Sequence, residues 1–176
     1  MYPVIRMSHQ ILRHRNDPAL PLLGTHVSRH ICMPWDLDLW MELNNGRTLT
    51  LYDMGRLPLG RRVGLDTALR GKGWGMTVVG VSVRYRKRIR MLDRITMHSR
   101  LIGWDERFMY LDQSMWLGDD CANQALYRSA VTGKSGIVPP RQVMEAMELP
   151  VESPPLPGWV QNWIAAEGTR PWPPQR

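Results

Sequence analysis

Between residues 77 and 86 the apolar positions alternate. Thr77, Val79, Val81, Val83 and Tyr85 share one face, and Val78, Gly80, Ser82, Arg84 and Arg86 share the other, which is the period of a β-strand. Three segments of the same style follow at about 95–103, 107–117 and 121–132, divided by short turns around Asp93, Gly103 and Gly118. Turns this short imply antiparallel neighbours. Upstream, residues 25–33 suggest a first strand, closed by Pro34. The period then changes. Leu49, Tyr52, Met54 and Leu57 recur every three to four residues behind Asn44 or Asn45, either of them a good N-cap, and predict the longest helix of the chain. Pro58 lacks an amide hydrogen, so a break or bend is expected near 57–60. A short second helix is expected over 66–72, stopped by the glycines at 71, 73 and 75. A strand, one long helix and an antiparallel run of four strands make an α+β plan in which the sheet must wrap the helix to bury it.

The two ends read differently. Residues 1–23 show no sustained periodicity and are expected to form an arm laid on the body or on a partner. From 139 onward a short helix over 141–149 and a Pro-rich stretch lead to an apolar piece at 159–166. There Trp159 and Trp163, four apart, would share a helix face and serve packing or a subunit contact. The expected organisation is an arm (1–23), one domain (24–138) and a tail (139–176). With 176 residues, 43% hydrophobic and 22% charged, one sizeable core is the expectation. No stretch approaches the roughly 20 apolar residues of a membrane span, and Arg6, Arg13 and Arg15 surround no signal-peptide core, so a soluble cytoplasmic protein is expected. Cys32 and Cys121 lack metal-ligand spacing and read as reduced, packed thiols.

The net charge of +7 raises nucleic acid as a partner, since clustered cations release counterions from phosphates. Nearly all of the basicity is arginine, however, spread along the chain with one dense run at 84–90 that reads as a solvated strand end. A small molecule bearing phosphates, such as coenzyme A, suits that run as well as a polynucleotide. No nucleic-acid partner is assigned. Other motifs fail on spacing: the glycine that a phosphate loop needs before Gly133, Lys134 and Ser135 is Arg128, and His9, His14, His26, His30 and His98 form no spaced metal set. Neither a metal nor a catalytic triad is assigned.

The acidic, Asn-rich segment at 36–46 carries the candidate chemistry. It places Asp36, Asp38, Met41, Glu42, Asn44, Asn45 and Gly46 just before the long helix. This spacing resembles the hotdog thioesterases of the 4-hydroxybenzoyl-CoA thioesterase class, whose pattern is Asp-x-Asp-x-x-Gly-His-x-Asn-Asn followed by a helix. Further likeness lies at 49–56, 79–86, 101–105 and 138–140, and it points to the bacterial branch that includes the thioesterase superfamily member six group. The resemblance covers roughly residues 24 to 145. Two positions depart from the pattern: Glu42 stands where many relatives have histidine, and Thr48 where the first helical turn usually carries an aromatic.

The resemblance implies a hotdog fold, an antiparallel sheet wrapped round one long helix. It also implies an acyl-CoA thioesterase that needs no cofactor beyond the coenzyme A of its substrate, and a homodimer or tetramer with the acyl group between subunits. Asp38 matches the catalytic aspartate and is the first choice for base or nucleophile. Backbone amides of Asn45 and Gly46, at the positive end of the helix, would polarise the carbonyl. Asn44 would orient water or substrate, and Glu42 would be a second carboxylate whose pKa is driven apart from that of Asp38. Arg84, Arg86 and Arg88 are the candidates for the coenzyme A phosphates. Asp53, on the helix, is the alternative carboxylate. A hotdog module that binds acyl thioesters or a protein without catalysis is the competing expectation.

Overall fold

The computed structural model describes residues 3–174. Helix α1 (Val4–Arg13) is followed by strand β1 (His26–Ile31), helices α2 (Asn45–Arg62) and α3 (Leu65–Lys72), and strands β2 (Gly75–Tyr85), β3 (Arg94–Trp104) and β4 (Met109–Leu117). Strands β5 (Asp120–Gly133) and β6 (Gly136–Val138) and helices α4 (Pro140–Ala146) and α5 (Gly158–Gly168) complete the chain. All strand pairs are antiparallel, in the order β1-β3-β4-β5-β2, with β6 beside β5 beyond the end of β4. This is the hotdog arrangement: the sheet curls round α2. Alternate residues of the strands supply its inner face, where Gln113, Asn123 and Tyr127 meet Tyr52 of the helix through hydrogen bonds or a ring contact, and Ser99 accepts a bond from Gln113. The helix comes so close that a Cβ on Gly55 would lie 2.6 Å from both Met97 Sδ and Ser99 Oγ. A side chain at that position has no room.

Three expectations are corrected. The first is the break near Pro58, because α2 runs through it unbroken. The proline forfeits one backbone bond, but Leu51, Tyr52, Met54, Gly55, Pro58 and Leu59 are all buried, and tertiary packing outweighs local propensity. Leu57, expected on the buried face, is 48% exposed. The second correction concerns β2. Val78 pairs with Ser129 and Gly80 with Arg128, which leaves Val79 as a bulged extra residue. The bulge puts Val78 on the inner face with Val81, Val83 and Tyr85, and removes Thr77 and Val79 from it. Third, the N-terminal arm, expected to lack sustained periodicity, contains a helix with its apolar residues gathered on one side. Helix α1 packs on α2, burying Met7 and Gln10.

Two further features position the site. Among the described residues strand β2 pairs on one side only, and Val78, Val79, Val81 and Tyr85 along it are exposed. On the outer face of the sheet, α5 docks by Val160 against Tyr110 and Leu126. Among the described residues no helix is long and apolar enough to cross a membrane.

Candidate active site

The segment before α2 is built on Asp36. This buried carboxylate accepts the amide of Met33 at 3.0 Å and Arg6 Nη1 at 2.6 Å, and Arg47 Nε lies 3.3 Å from its other oxygen. Its carbonyl accepts the amide of Asn44 at 2.9 Å. Asp36 therefore ties α1, the loop and the start of α2 together, which is a structural duty for the first aspartate of the motif.

Asp38 organises the next turn. Its Oδ1 accepts the amides of Trp40 at 2.9 Å and Glu42 at 3.4 Å, and its own amide donates to the carbonyl of Glu42 at 2.9 Å. The turn is closed by Met41 in the left-handed region, φ 59°, at the position where the family pattern has glycine. Leu39, Trp40 and Met41 form its exposed tip. Glu42 leads back to the body, bridging Arg90 and placing Oε2 3.0 Å from Arg88 Nε.

Asn44 is the N-cap of α2: its Oδ1 accepts the amide of Arg47 at 3.1 Å, which decides between the two expected caps. The helix offers no acceptor to the amides of Asn45 and Gly46 in its first turn. Glu42, Asn45, Thr48, Tyr85, Arg86 and Arg88 line a cavity of about 230 Å³ at this helix end. Asn44 and Gly46 line a neighbouring cleft with Trp35 and Arg47. The fold thus gathers Glu42, Asn45, Arg86 and Arg88, with Asn44 and Gly46 in the neighbouring cleft; Asp38 lines neither and is joined to the cavity through its bonds to the backbone of Glu42. The fold does not bring Arg84 to the same place. Arg84 pairs with Gln124 on the outer face, beside Trp159 and Trp163. Strand alternation, continued past Tyr85, had put the arginines together; the amides of Arg86 and Lys87 both reach the carbonyl of Ala122, and that irregularity turns Arg86 into the cavity.

Farther along α2 lies an apolar cavity of about 310 Å³ walled by Leu57, Leu59, Leu69, Val78 and Leu111, with Asp53 and Arg56 at its polar side. Asp53 pairs with Arg56, whose Nη1 donates to Gln113 Oε1 at 2.9 Å and whose guanidinium lies 4.1 Å over the ring of Tyr127. Burial pushes the Tyr127 hydroxyl up to about 12, against the opposing pull of Arg56. Sequence reasoning missed Arg56, Gln113 and Asn123. The signal was available in polar residues standing on the apolar face of strand alternations, as Gln113 does between Leu111 and Met115.

Spacing gave no metal set, yet the fold brings His14, Asp17 and His26 within 4.8 Å of one another. Arg62 supplies the positive charge there, with Nη1 3.0 Å from His26 Nδ1 and 3.6 Å from Asp17 Oδ2. Burial, then His14 and Arg62, hold His26 down at about 4, and burial with Arg6 holds His30 at about 3.

The family model described as the thioesterase-like superfamily matches residues 32–164. Protein THEM6 of Xenopus laevis is 33% identical over 163 residues, covering 91% of this chain and 77% of that protein. Among solved structures, the probable thioesterase YbaW from Escherichia coli superposes with a TM-score of 0.65 at 18% identity, over 72% of this chain and 99% of that one. A 1,4-dihydroxy-2-naphthoyl-CoA thioesterase from Synechocystis superposes with a TM-score of 0.58 at 11% identity, over 69% and 93%. At these identities the structural likeness speaks for the fold.

Proposed function

The chain belongs to the thioesterase-like superfamily, and from that premise we propose that it hydrolyses an acyl-CoA to a free acid and coenzyme A. The observation that carries this reading is the placement of the Asp38 turn directly before a helix end whose first amides lack helical acceptors. In it, Asp38 takes a proton from water as the water oxygen attacks the thioester carbon, or attacks that carbon itself to give an anhydride that water then opens. The charge that develops on the carbonyl oxygen is met by the amides of Asn45 and Gly46 at the positive end of α2. The carbon–sulfur bond breaks, and the thiolate leaves and takes up a proton. Asn44 spends its Oδ1 on the helix cap, so its amide nitrogen is the group that remains for substrate. Glu42 and Arg88 hold one another at the cavity wall, and Arg86 and Arg88 meet phosphates there.

The working unit in this reading is a homodimer in the cytoplasm. The support is β2, a valine-rich edge with exposed side chains, which a second copy would cover by extending the sheet. A second reading, an acyl-thioester-binding module without turnover, is favoured by one observation: Asp38 Oδ1 already accepts two amides of its own turn. Free-thiol release over a panel of aliphatic and aromatic acyl-CoAs separates the two. Turnover of any member supports hydrolysis, tight binding without turnover supports the module, and neither binding nor turnover overturns both.

A further inference from the structure

The outer face of the sheet carries a pocket of about 480 Å³ that the reaction does not use, lined by Ser82, Arg84, Gln124, Leu126, Trp159 and Trp163. Its volume falls in the ~300–1,000 Å³ range of small-molecule sites. Docking of α5 accounts for part of it: Val160 is buried, Trp163 and Ile164 pack with it, and the Trp163 ring sits where a Cβ on Gly80 would be 3.4 Å away. Trp159 is different. It stands one residue before the docked face, is 49% exposed, and contributes a large aromatic surface that helix packing does not require. Arg84 is different as well. On the same face Arg100 is paired with Asp112 at 2.9 Å and Arg128 lies 4.1 Å over Phe108, while Arg84, among the described residues, meets no carboxylate. An exposed indole beside an uncompensated guanidinium offers a base-stacking surface and a phosphate partner.

The pocket also lies within reach of the helix end. Tyr85 and Arg86 line the inner cavity and Arg84 the outer pocket. Two residues of extended chain span about 7 Å, so Arg86 and Arg84 bring the two pockets to the same end of β2. We propose that Trp159, Trp163 and Arg84 form a subsite for the adenosine phosphate end of a coenzyme A thioester, with the adenine on the Trp159 ring and the 3′-phosphate on Arg84, while the diphosphate stays with Arg86 and Arg88. The proposal rests on the acyl-CoA reading for its ligand, and its test is arranged to stand apart from that reading.

Binding of adenosine 3′,5′-bisphosphate and of coenzyme A to the full chain is measured by calorimetry, in wild type and in Trp159→Ala, Arg84→Gln and Arg84→Lys. Wild type is expected to bind both, with affinity lowered about ten-fold by Trp159→Ala and by Arg84→Gln, and partly restored in Arg84→Lys. Where an acyl-CoA is turned over, the same variants raise its KM by a similar factor at unchanged kcat, and leave the N-acetylcysteamine thioester of the same acid, which has no nucleotide, unaffected. Absence of nucleotide binding to wild type, unchanged affinity in the variants, or equal losses on both thioesters would overturn the subsite. Nucleotide binding without hydrolysis of any thioester would sustain it while removing the catalytic reading.

Discussion

Replacing Gln113 with leucine tests whether the sheet grips its central helix through hydrogen bonds as well as apolar contact. Gln113 is fully buried on β4, donates to the carbonyl of Tyr52 at 2.9 Å and to Ser99 Oγ at 2.7 Å, and accepts Arg56 Nη1 at 2.9 Å. Leucine fills nearly the same volume but makes none of these bonds. The Tyr52 carbonyl keeps its helical partner, whereas the Ser99 hydroxyl is left without one at a cost of about 1–3 kcal/mol, and Arg56 loses a charge-assisted bond worth roughly 1.5–3 kcal/mol. Water has no way in to repair the loss, because Ser99 Oγ lies where even a methyl on Gly55 would not fit. Extra apolar burial returns about 1–2 kcal/mol. The net loss is about 3 kcal/mol, a fall in Tm of roughly 6–12 °C for a chain of this size. Thermal and urea denaturation followed by circular dichroism read it. Ser99→Ala alone destabilises, but added to Gln113→Leu it restores about 1 kcal/mol by removing the orphaned hydroxyl. A Tm within 2 °C of wild type for Gln113→Leu, or strictly additive losses in the cycle, would refute the reasoning.

Met41→Gly should stabilise the protein by about 1 kcal/mol, since a side chain at φ 59° strains the turn that glycine accepts freely; an unchanged or lower Tm would show that the turn is not held this way. Stability should also fall with acid. His26 and His30 are neutral in the fold, with pKa values held at about 4 and about 3 against an ordinary 6.5. The unfolded chain therefore gains protons first as pH drops below about 6.5, and stability is lost from there down to the folded values, by up to about 1.4 kcal/mol per pH unit for each histidine. Urea midpoints at pH 7 and pH 5 measure this. His26→Gln should flatten the slope relative to wild type, and equal slopes in the two proteins would contradict it.

The strands and the long helix were legible because their side chains face one core from regular backbone, so period 2 and period 3.6 survive in the sequence. Pro58 misled because local rules cannot weigh the buried neighbours that hold α2 straight. Strand β2 misled for another reason: the bulge at Val79 changes the face of every residue before it, and the run of valines masks the one residue that marks it, Gly80. Helix α1 was missed although Val4, Ile5, Met7, Ile11 and Leu12 gather on one side of it: the stripe is short, and only its Met7 and Ile11 edge turns inward, beside Gln10 and Arg6, while Val4, Ile5 and Leu12 stay exposed. In the candidate site, the spacing of Asp36, Asp38 and the two asparagines located the loop, but it could not separate their duties. Only coordinates distinguish the buried tie made by Asp36 from the turn made by Asp38. The helix-gripping set of Arg56, Gln113 and Asn123 comes from three separate elements and has no sequence spacing at all.

The central claim is that Asp38 does chemistry beyond shaping its turn, and Asp38→Asn separates the two duties. Asparagine keeps an oxygen able to accept the amides of Trp40 and Glu42, so the turn, the fold and the Tm should be preserved. It is a far weaker base and nucleophile. On an acyl-CoA that the wild type turns over, kcat for Asp38→Asn should fall about 10²–10⁴-fold while the denaturation midpoint stays put. Full activity in a stably folded Asp38→Asn would contradict the account and leave Asp38 as a residue of the turn alone.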